Sequence, residues 1–194
     1  KSEVIYNPIS LNKIISLAKE KISIKLDSNY YNIISVGRLA YEKDYKTAIL
    51  SIAKLKKRYG NIKYYILGDG ELKNELYKYS DYLDLKNDII FTGYLSNPYP
   101  IMKNANVLLS TSLYEGFSNV ILESLALNVP VVATDCPGGN KEIISNEKNG
   151  FLAKVGNTED IVDKLMLVKK QKDYNIDVSK FKINFIAKEY EKHF

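Results

Sequence analysis

Glu115 and Glu123 are the only charged side chains between Val107 and Thr134, in a chain that is 26% charged overall. Glu115 opens "EGFSNVILES", where a Glu-Gly pair closes a run of β-type residues, and Glu123 falls inside the helix-period run that follows. An ionised carboxylate only accepts hydrogen bonds, and its two oxygens can take them from two vicinal hydroxyls, as on a sugar or a ribose. Buried without a partner it is costly. No cation lies in this stretch, so Glu123 must meet either a ligand or a cation from elsewhere in the chain. Gly116 allows an unusual backbone angle or a close ligand approach. Ser118 or Asn119 can cap the helix, and the amides from Phe117 to Val120 then face the strand edge, free to donate to a phosphate or a sugar hydroxyl. Glu123 lies about 7 Å further along the helix axis at 1.5 Å per residue. The two carboxylates can therefore meet different parts of one extended ligand.

A second cluster stands in "GRLAYEKD". Gly37 lets the backbone turn, and Arg38 and Lys43 precede a helix expected to begin near Asp44. A guanidinium, an ammonium and a helix N-terminus suit a diphosphate. The alternative is two surface cations with Asp44 as a simple cap. The loop carries neither the Gly-x-Gly-x-x-Gly spacing of dinucleotide enzymes nor a Walker A pattern, which argues against a dehydrogenase or a P-loop NTPase. In "GDGE", Gly68 and Gly70 form either a structural turn or a close approach to a flat ligand such as a base. "DCPGGNKEI" offers Gly138 and Gly139 as an anion-accessible loop or, equally, a plain turn. Cys136, the single cysteine, has no histidine to activate it and reads as a packing residue.

These residues need a scaffold that brings loops together, and the hydrophobic pattern supplies one. Short apolar runs, read as strands, occur at Ile33–Gly37, Lys63–Gly68, Asp88–Tyr94, Asn106–Ser112, Pro130–Asp135 and Gly150–Val155. Helix-period segments alternate with them, over Asp44–Gly60 with an apolar stripe of Ala48, Ile49, Ile52, Ala53 and Leu55, about Glu71–Leu83, near Pro100–Asn104, to about Leu127, near Lys141–Ile144 and over Thr158–Lys169. A further helix around Ile14–Leu17 packs outside. Unbroken apolar strands alternating with helices imply an α/β fold, a doubly wound three-layer αβα sandwich on a mostly parallel sheet of about six strands. In such sheets ligands bind beyond the carboxyl ends of the strands, which is where the clusters above fall.

Composition narrows the partners. The net charge of +5 and pI near 9.0 permit an anionic ligand, a nucleic acid or an acidic membrane surface. The abundance of Lys, Ile, Asn and Tyr reads instead as a bias of overall composition, and no nucleic-acid partner is expected. One cysteine suits a reducing compartment, hence a cytoplasmic location. "KLKKRYG" (Lys54–Gly60) gives a basic helix end that favours the helix dipole and adds peripheral contact at the inner face of the plasma membrane as a further expectation. His193 reads as a solvated surface residue, and without a Cys/His cluster or an Asp-x-Asp pair no metal is expected. No apolar run approaches the length of a membrane span.

"VGRLAYEKD", "ILGDGEL", "IIFTGYLSNPYPIM", "STSLYEGFSNVILESLALNVPVVATDCPGGNKEII" and "NGFLAKVGNTEDI" appear in the order typical of the retaining glycosyltransferases of family 4. The chain resembles the Rossmann-like C-terminal, donor-binding half of a GT-B enzyme over about Tyr31–Leu167, and "VIYNPIS" resembles the segment that joins the two halves. The resemblance implies one donor-binding domain over residues 1–194, with 1–28 as inter-domain linker or N-terminal extension, 180–194 as a C-terminal helix, and the acceptor-binding N-terminal domain absent. By resemblance, Arg38 and Lys43 match the cations on the donor diphosphate, and Glu115 matches the carboxylate at the donor sugar. The amides of Gly116, Phe117, Ser118 and Asn119 match those near sugar and phosphate, with Val120 lining the same helix start. Glu123 matches the glutamate that holds the ribose hydroxyls, and Gly37, Gly68 and Tyr94 match donor-binding positions, the last two flanking the base. The donor is a nucleotide-sugar, with UDP-sugars favoured and GDP- or ADP-sugars open; the acceptor is a glycan or a lipid-linked glycan, and no cofactor is implied. Two positions depart from the family pattern, Asp44 where Gly is usual and Ser118 where Pro is frequent. A non-catalytic nucleotide-binding module and a regulatory domain without a nucleotide are the competing readings, the latter disfavoured by the retained charged residues.

Overall fold

Each apolar run becomes a strand of one sheet. The structure, a computed structural model, describes residues 5–21, 24–171 and 173–192, so His193 lies outside the described residues. The strands are β1 (Tyr31–Val36), β2 (Ile62–Leu67), β3 (Ile89–Gly93), β4 (Val107–Ser110), β5 (Val131–Thr134) and β6 (Gly150–Ala153). Their order is β3-β2-β1-β4-β5-β6, and every neighbouring pair is parallel. The helices are α1 (Leu11–Leu17), α2 (Tyr45–Tyr59), α3 (Lys73–Tyr82), α4 (Tyr99–Lys103), α5 (Asn119–Ala126), α6 (Asn140–Ile143), α7 (Thr158–Lys170) and α8 (Ile183–Glu191), with 3-10 turns at Tyr41–Lys43 and Ser179–Phe181.

Successive strand side chains point to opposite faces, and both faces are covered. Ile33, Tyr64, Ile66, Leu109 and Val132 pack under α2, α3 and α7, while Ile34, Tyr65, Leu67, Leu108 and Val131 pack under α1, α4, α5 and α6. In α2, Ala48, Ile49, Ile52 and Leu55 are fully buried and Ala53 packs against them, the stripe expected from the sequence. Its basic end is largely neutralised within the fold: Lys54 and Arg58 pair with Glu159, Arg58 also with Asp163, and Lys56 with Asp88. Among the described residues no helix is long and apolar enough to cross a membrane.

Residues 5–18 pack on the domain rather than trailing from it. Ile14 is buried, Ile9 donates from its amide to the Phe181 carbonyl at 2.7 Å, and Tyr6 stacks on Phe117 with ring centroids 5.5 Å apart. The strand order reverses between β1 and β4, and a crevice opens there at the strands' carboxyl ends. That switch point organises the site.

Candidate functional site

The loop after β1 reaches its position through a residue in the left-handed region. The 3-10 turn Tyr41–Lys43 ends at Asp44, whose φ of 45° and ψ of 51° would suit glycine, and the Asp44 side chain accepts from the Thr47 amide to cap α2. Asp tolerates this conformation better than most residues because its short polar side chain bonds locally. The turn is then clamped across the switch point. Thr111 Oγ1 donates to the carbonyls of Lys43 and Asp44 at 2.9 and 3.0 Å, and the Leu113 amide donates to the Glu42 carbonyl at 2.8 Å. These bonds bring two loops that are distant in sequence within reach of each other.

Lys43 Nζ and Glu115 Oε2 lie 2.5 Å apart, with 26% and 16% of their side chains exposed. Ser112 Oγ donates to the same Glu115 oxygen at 3.1 Å. Beside them α5 begins. Ser118 holds the cap position with extended backbone, but its side chain accepts no amide, unlike the capping expected from its type. The first turn of α5 contains no acidic residue, so its amides present uncompensated positive charge to the crevice. Lys43, Glu115, Phe117, Ser118, Asn119 and Val120 all border one polar cavity of about 230 Å³ between β1 and β4.

A wider cavity of about 500 Å³ adjoins it, with Val36 bordering both. Here the structure places Gly37, Arg38, Gly68, Tyr94 and Glu123. Arg38 pairs with Glu42 at 2.9 Å and is 65% exposed. Gly68 is glycine because the β1 and β2 ends touch: at its φ of 153°, a Cβ would stand 1.9 Å from the Gly37 carbonyl oxygen. Its role in the fold is this contact, and the same backbone forms one wall of the cavity. Glu123 has no cationic partner among the described residues; instead Tyr99 Oη donates to its Oε1 at 3.1 Å. Burial pushes the Glu123 carboxyl above the usual range, and the Tyr99 hydroxyl draws it partly back. Tyr99 is pushed up to about 12, first by burial and then by the Glu123 charge.

Gly116 differs from its sequence reading, and at Gly138 and Gly139 the structure takes the plain-turn alternative. Gly116 has no positive φ and a Cβ on it would meet nothing within 4 Å, so no backbone angle demands glycine there; it borders neither of the two cavities, and its carbonyl accepts from the Gly139 amide at 2.8 Å. Gly138 and Gly139 pack rather than open an anion loop: at a φ of 128°, a Cβ on Gly138 would fall 1.4 Å from the Glu115 carbonyl oxygen. That contact seats the Glu115 loop on the turn before α6. Cys136 is 1% exposed beneath it, where Asn140 Nδ2 bonds the Thr134 carbonyl and approaches the sulfur at 3.4 Å, as a packing residue should. Two site residues carried no sequence signal of their own, Ser112 and Tyr99. Ser112 lies in the loop after β4 and Tyr99 opens α4, and only tertiary placement gives their hydroxyls a carboxylate.

Residues 18–184 match the family model for glycosyl transferases group 1. Among curated relatives, an uncharacterized glycosyltransferase of Methanocaldococcus jannaschii is 36% identical over 156 residues, 77% of this chain and 37% of that protein. The N-acetylgalactosamine-N,N'-diacetylbacillosaminyl-diphospho-undecaprenol 4-alpha-N-acetylgalactosaminyltransferase of Campylobacter jejuni is 38% identical over 157 residues, 81% of this chain and 41% of that one. The chain thus spans about two fifths of the length of these relatives. Among solved structures, the lipopolysaccharide outer core galactosyltransferase WaaB in its apo form superposes with a TM-score of 0.82 at 25% identity, over 98% of this chain and 54% of that one. Anabaena Alr3699/HepE in complex with UDP gives a TM-score of 0.83 at 19% identity, over 98% and 56%, a likeness of fold.

Proposed function

The chain belongs to the glycosyl transferases group 1 family, and from that membership we propose that it is the donor half of a retaining, metal-independent glycosyltransferase. The donor is a nucleotide-sugar, a UDP-sugar in the first instance, and the group transferred is a hexosyl or N-acetylhexosaminyl unit. The acceptor is a glycan or a lipid-linked glycan held by the other half of a GT-B enzyme, in the cytoplasm at the inner face of the membrane. The observation that carries this reading is the meeting of Lys43, Glu115 and the uncapped start of α5 in one crevice, with Glu123 one cavity away.

The chemistry follows from the charges. Transfer breaks the bond between the sugar's anomeric carbon and the diphosphate oxygen and forms one to an acceptor oxygen, whose proton is released. Negative charge builds on the diphosphate as it departs. Lys43, Arg38 and the first amides of α5 are positive groups fixed before the reaction, and such preorganised charge lowers the barrier most effectively in a partly dry crevice. Glu115 takes the donor sugar, Glu123 takes the ribose, and Gly68 and Tyr94 flank the base. UDP-bound neighbours of the same fold support the choice of nucleotide.

Calorimetric titration of the chain with UDP, GDP, ADP and UDP-sugars at low salt tests the proposal. UDP should bind with Kd on the order of micromolar to millimolar, unchanged by EDTA. Lys43→Ala and Glu123→Ala should each weaken it at least tenfold, and Glu115→Ala should remove the extra affinity of UDP-sugar over UDP. Failure of every nucleotide to bind, or indifference of UDP binding to Lys43→Ala, would sink the donor-site reading; dependence on a chelatable metal would sink metal independence alone.

A further inference from the structure

The contact between Tyr99 and Glu123 joins two groups that the sequence keeps apart. Tyr99 is the first residue of α4, set between Pro98 and Pro100, where a fixed proline φ suits the start of a helix. Its amide donates to Asn97 Oδ1 at 3.2 Å, and Asn97 Nδ2 in turn donates to the Leu17 carbonyl at 3.0 Å and to Glu20 Oε2 at 2.8 Å. The residue is therefore tied to the end of α1, and its ring packs against the core under α4 and α5. From this anchored position its hydroxyl reaches Glu123 Oε1 at 3.1 Å, and both side chains border the wider cavity.

We infer that Tyr99 is the positioning residue for Glu123: its hydroxyl holds one carboxylate oxygen so that the carboxylate stays turned toward the paired hydroxyls of a nucleotide's ribose. This rests on the donor-site reading above. Two ribose hydroxyls that both donate need an ionised acceptor, since a protonated carboxyl would present a donor of its own. Burial opposes that ionisation and Tyr99 favours it, so the tyrosine fixes both the orientation and the charge of its partner. The other ionisable groups bordering the cavity are otherwise engaged or peripheral. Arg38 pairs with Glu42, Asp69 pairs with Lys73 at 2.8 Å, and Tyr94 is 78% exposed.

The experiment is a set of Kd measurements for UDP and 2′-deoxy-UDP, on the wild-type chain and on Tyr99→Phe, between pH 5 and 8. Tyr99→Phe keeps the ring and its packing, and an unchanged thermal midpoint verifies the fold. The variant should bind UDP about tenfold more weakly at pH 7, the scale of one hydrogen bond to a charged group. The same change should alter 2′-deoxy-UDP binding less than about twofold, since that ligand lacks the paired hydroxyls. The pH below which UDP affinity declines should also move upward in the variant. Equal weakening of both nucleotides, no weakening of either, or an unmoved pH profile overturns the role of Tyr99 and leaves the donor site standing. If the wild-type chain binds neither nucleotide, the donor-site reading falls and this inference falls with it.

Discussion

Lys43 and Glu115 are matched to each other across the crevice. A diphosphate that takes Lys43 must compete with a carboxylate 2.5 Å away, and the sugar that takes Glu115 must compete with an ammonium and the Ser112 hydroxyl. On the proposed reading, a donor carrying both groups would satisfy both partners at once, and the pair would favour the intact nucleotide-sugar over either fragment. Glu123 differs because its partner is neutral. Its folded-state carboxyl is raised above the ordinary unfolded value near 4.3. The penalty for its charge is absent at pH values where both states are protonated, appears as pH rises through that interval, and is fully present at neutrality. Glu123→Gln, which can still accept from Tyr99, should therefore raise the thermal midpoint at pH 7 by about 1–3 °C while impairing nucleotide binding. The gain should vanish below about pH 3, where the carboxyl is protonated in both states. A lower midpoint at pH 7 would mean that the carboxylate is held by more than burial opposes. The residues legible in the sequence were Glu115 and Glu123, whose charge stood out against an apolar background, and Arg38 and Lys43, cations set in a strand-end loop before a helix. Tyr99 was invisible among 16 tyrosines, because nothing local distinguishes a hydroxyl that will meet a carboxylate from one that will meet water.

At the scale of elements, turns carry the precision. Lys43 reaches the crevice because Asp44 turns left-handed and caps α2 at once. In Asp44→Ala the cap is lost and the strained conformation kept, for a cost of about 1–2 kcal/mol. In Asp44→Gly the cap is also lost but the strain is relieved, so the cost should be clearly smaller. Urea denaturation of the two variants measures the difference, and equal losses would show that the backbone conformation contributes nothing. The position where the family usually carries glycine thus proves to be one where glycine's backbone freedom is used. The Gly138–Gly139 turn shows the opposite limit of sequence reading. A glycine pair at a strand end looks the same whether it admits a ligand or another loop, and here the space is filled by the Glu115 backbone.

At the scale of the molecule, the six strands, both helical layers and the α2 stripe were legible because unbroken apolar runs and 3.6-residue periodicity are local signals. The strand order was not, since pairing β1 with β4 depends on contacts across more than seventy positions of chain. That order puts the candidate crevice at the carboxyl ends of β1 and β4, with the loop after the edge strand β3 bordering its wider cavity. Hydrogen exchange should report it: on the proposed reading, UDP should slow amides in residues 37–44, 94–99 and 114–123 while leaving α7 unchanged. Protection centred on α7 instead would place the ligand elsewhere.

The only thiol of the chain lies just past β5 beside Asn140, 1% exposed, with its pKa raised by burial. Alkylation of Cys136 must wait for the structure to open locally around it, because the reagent needs both access and a thiolate. The molecule therefore carries its own clock for local opening around Cys136, readable by mass without an added label.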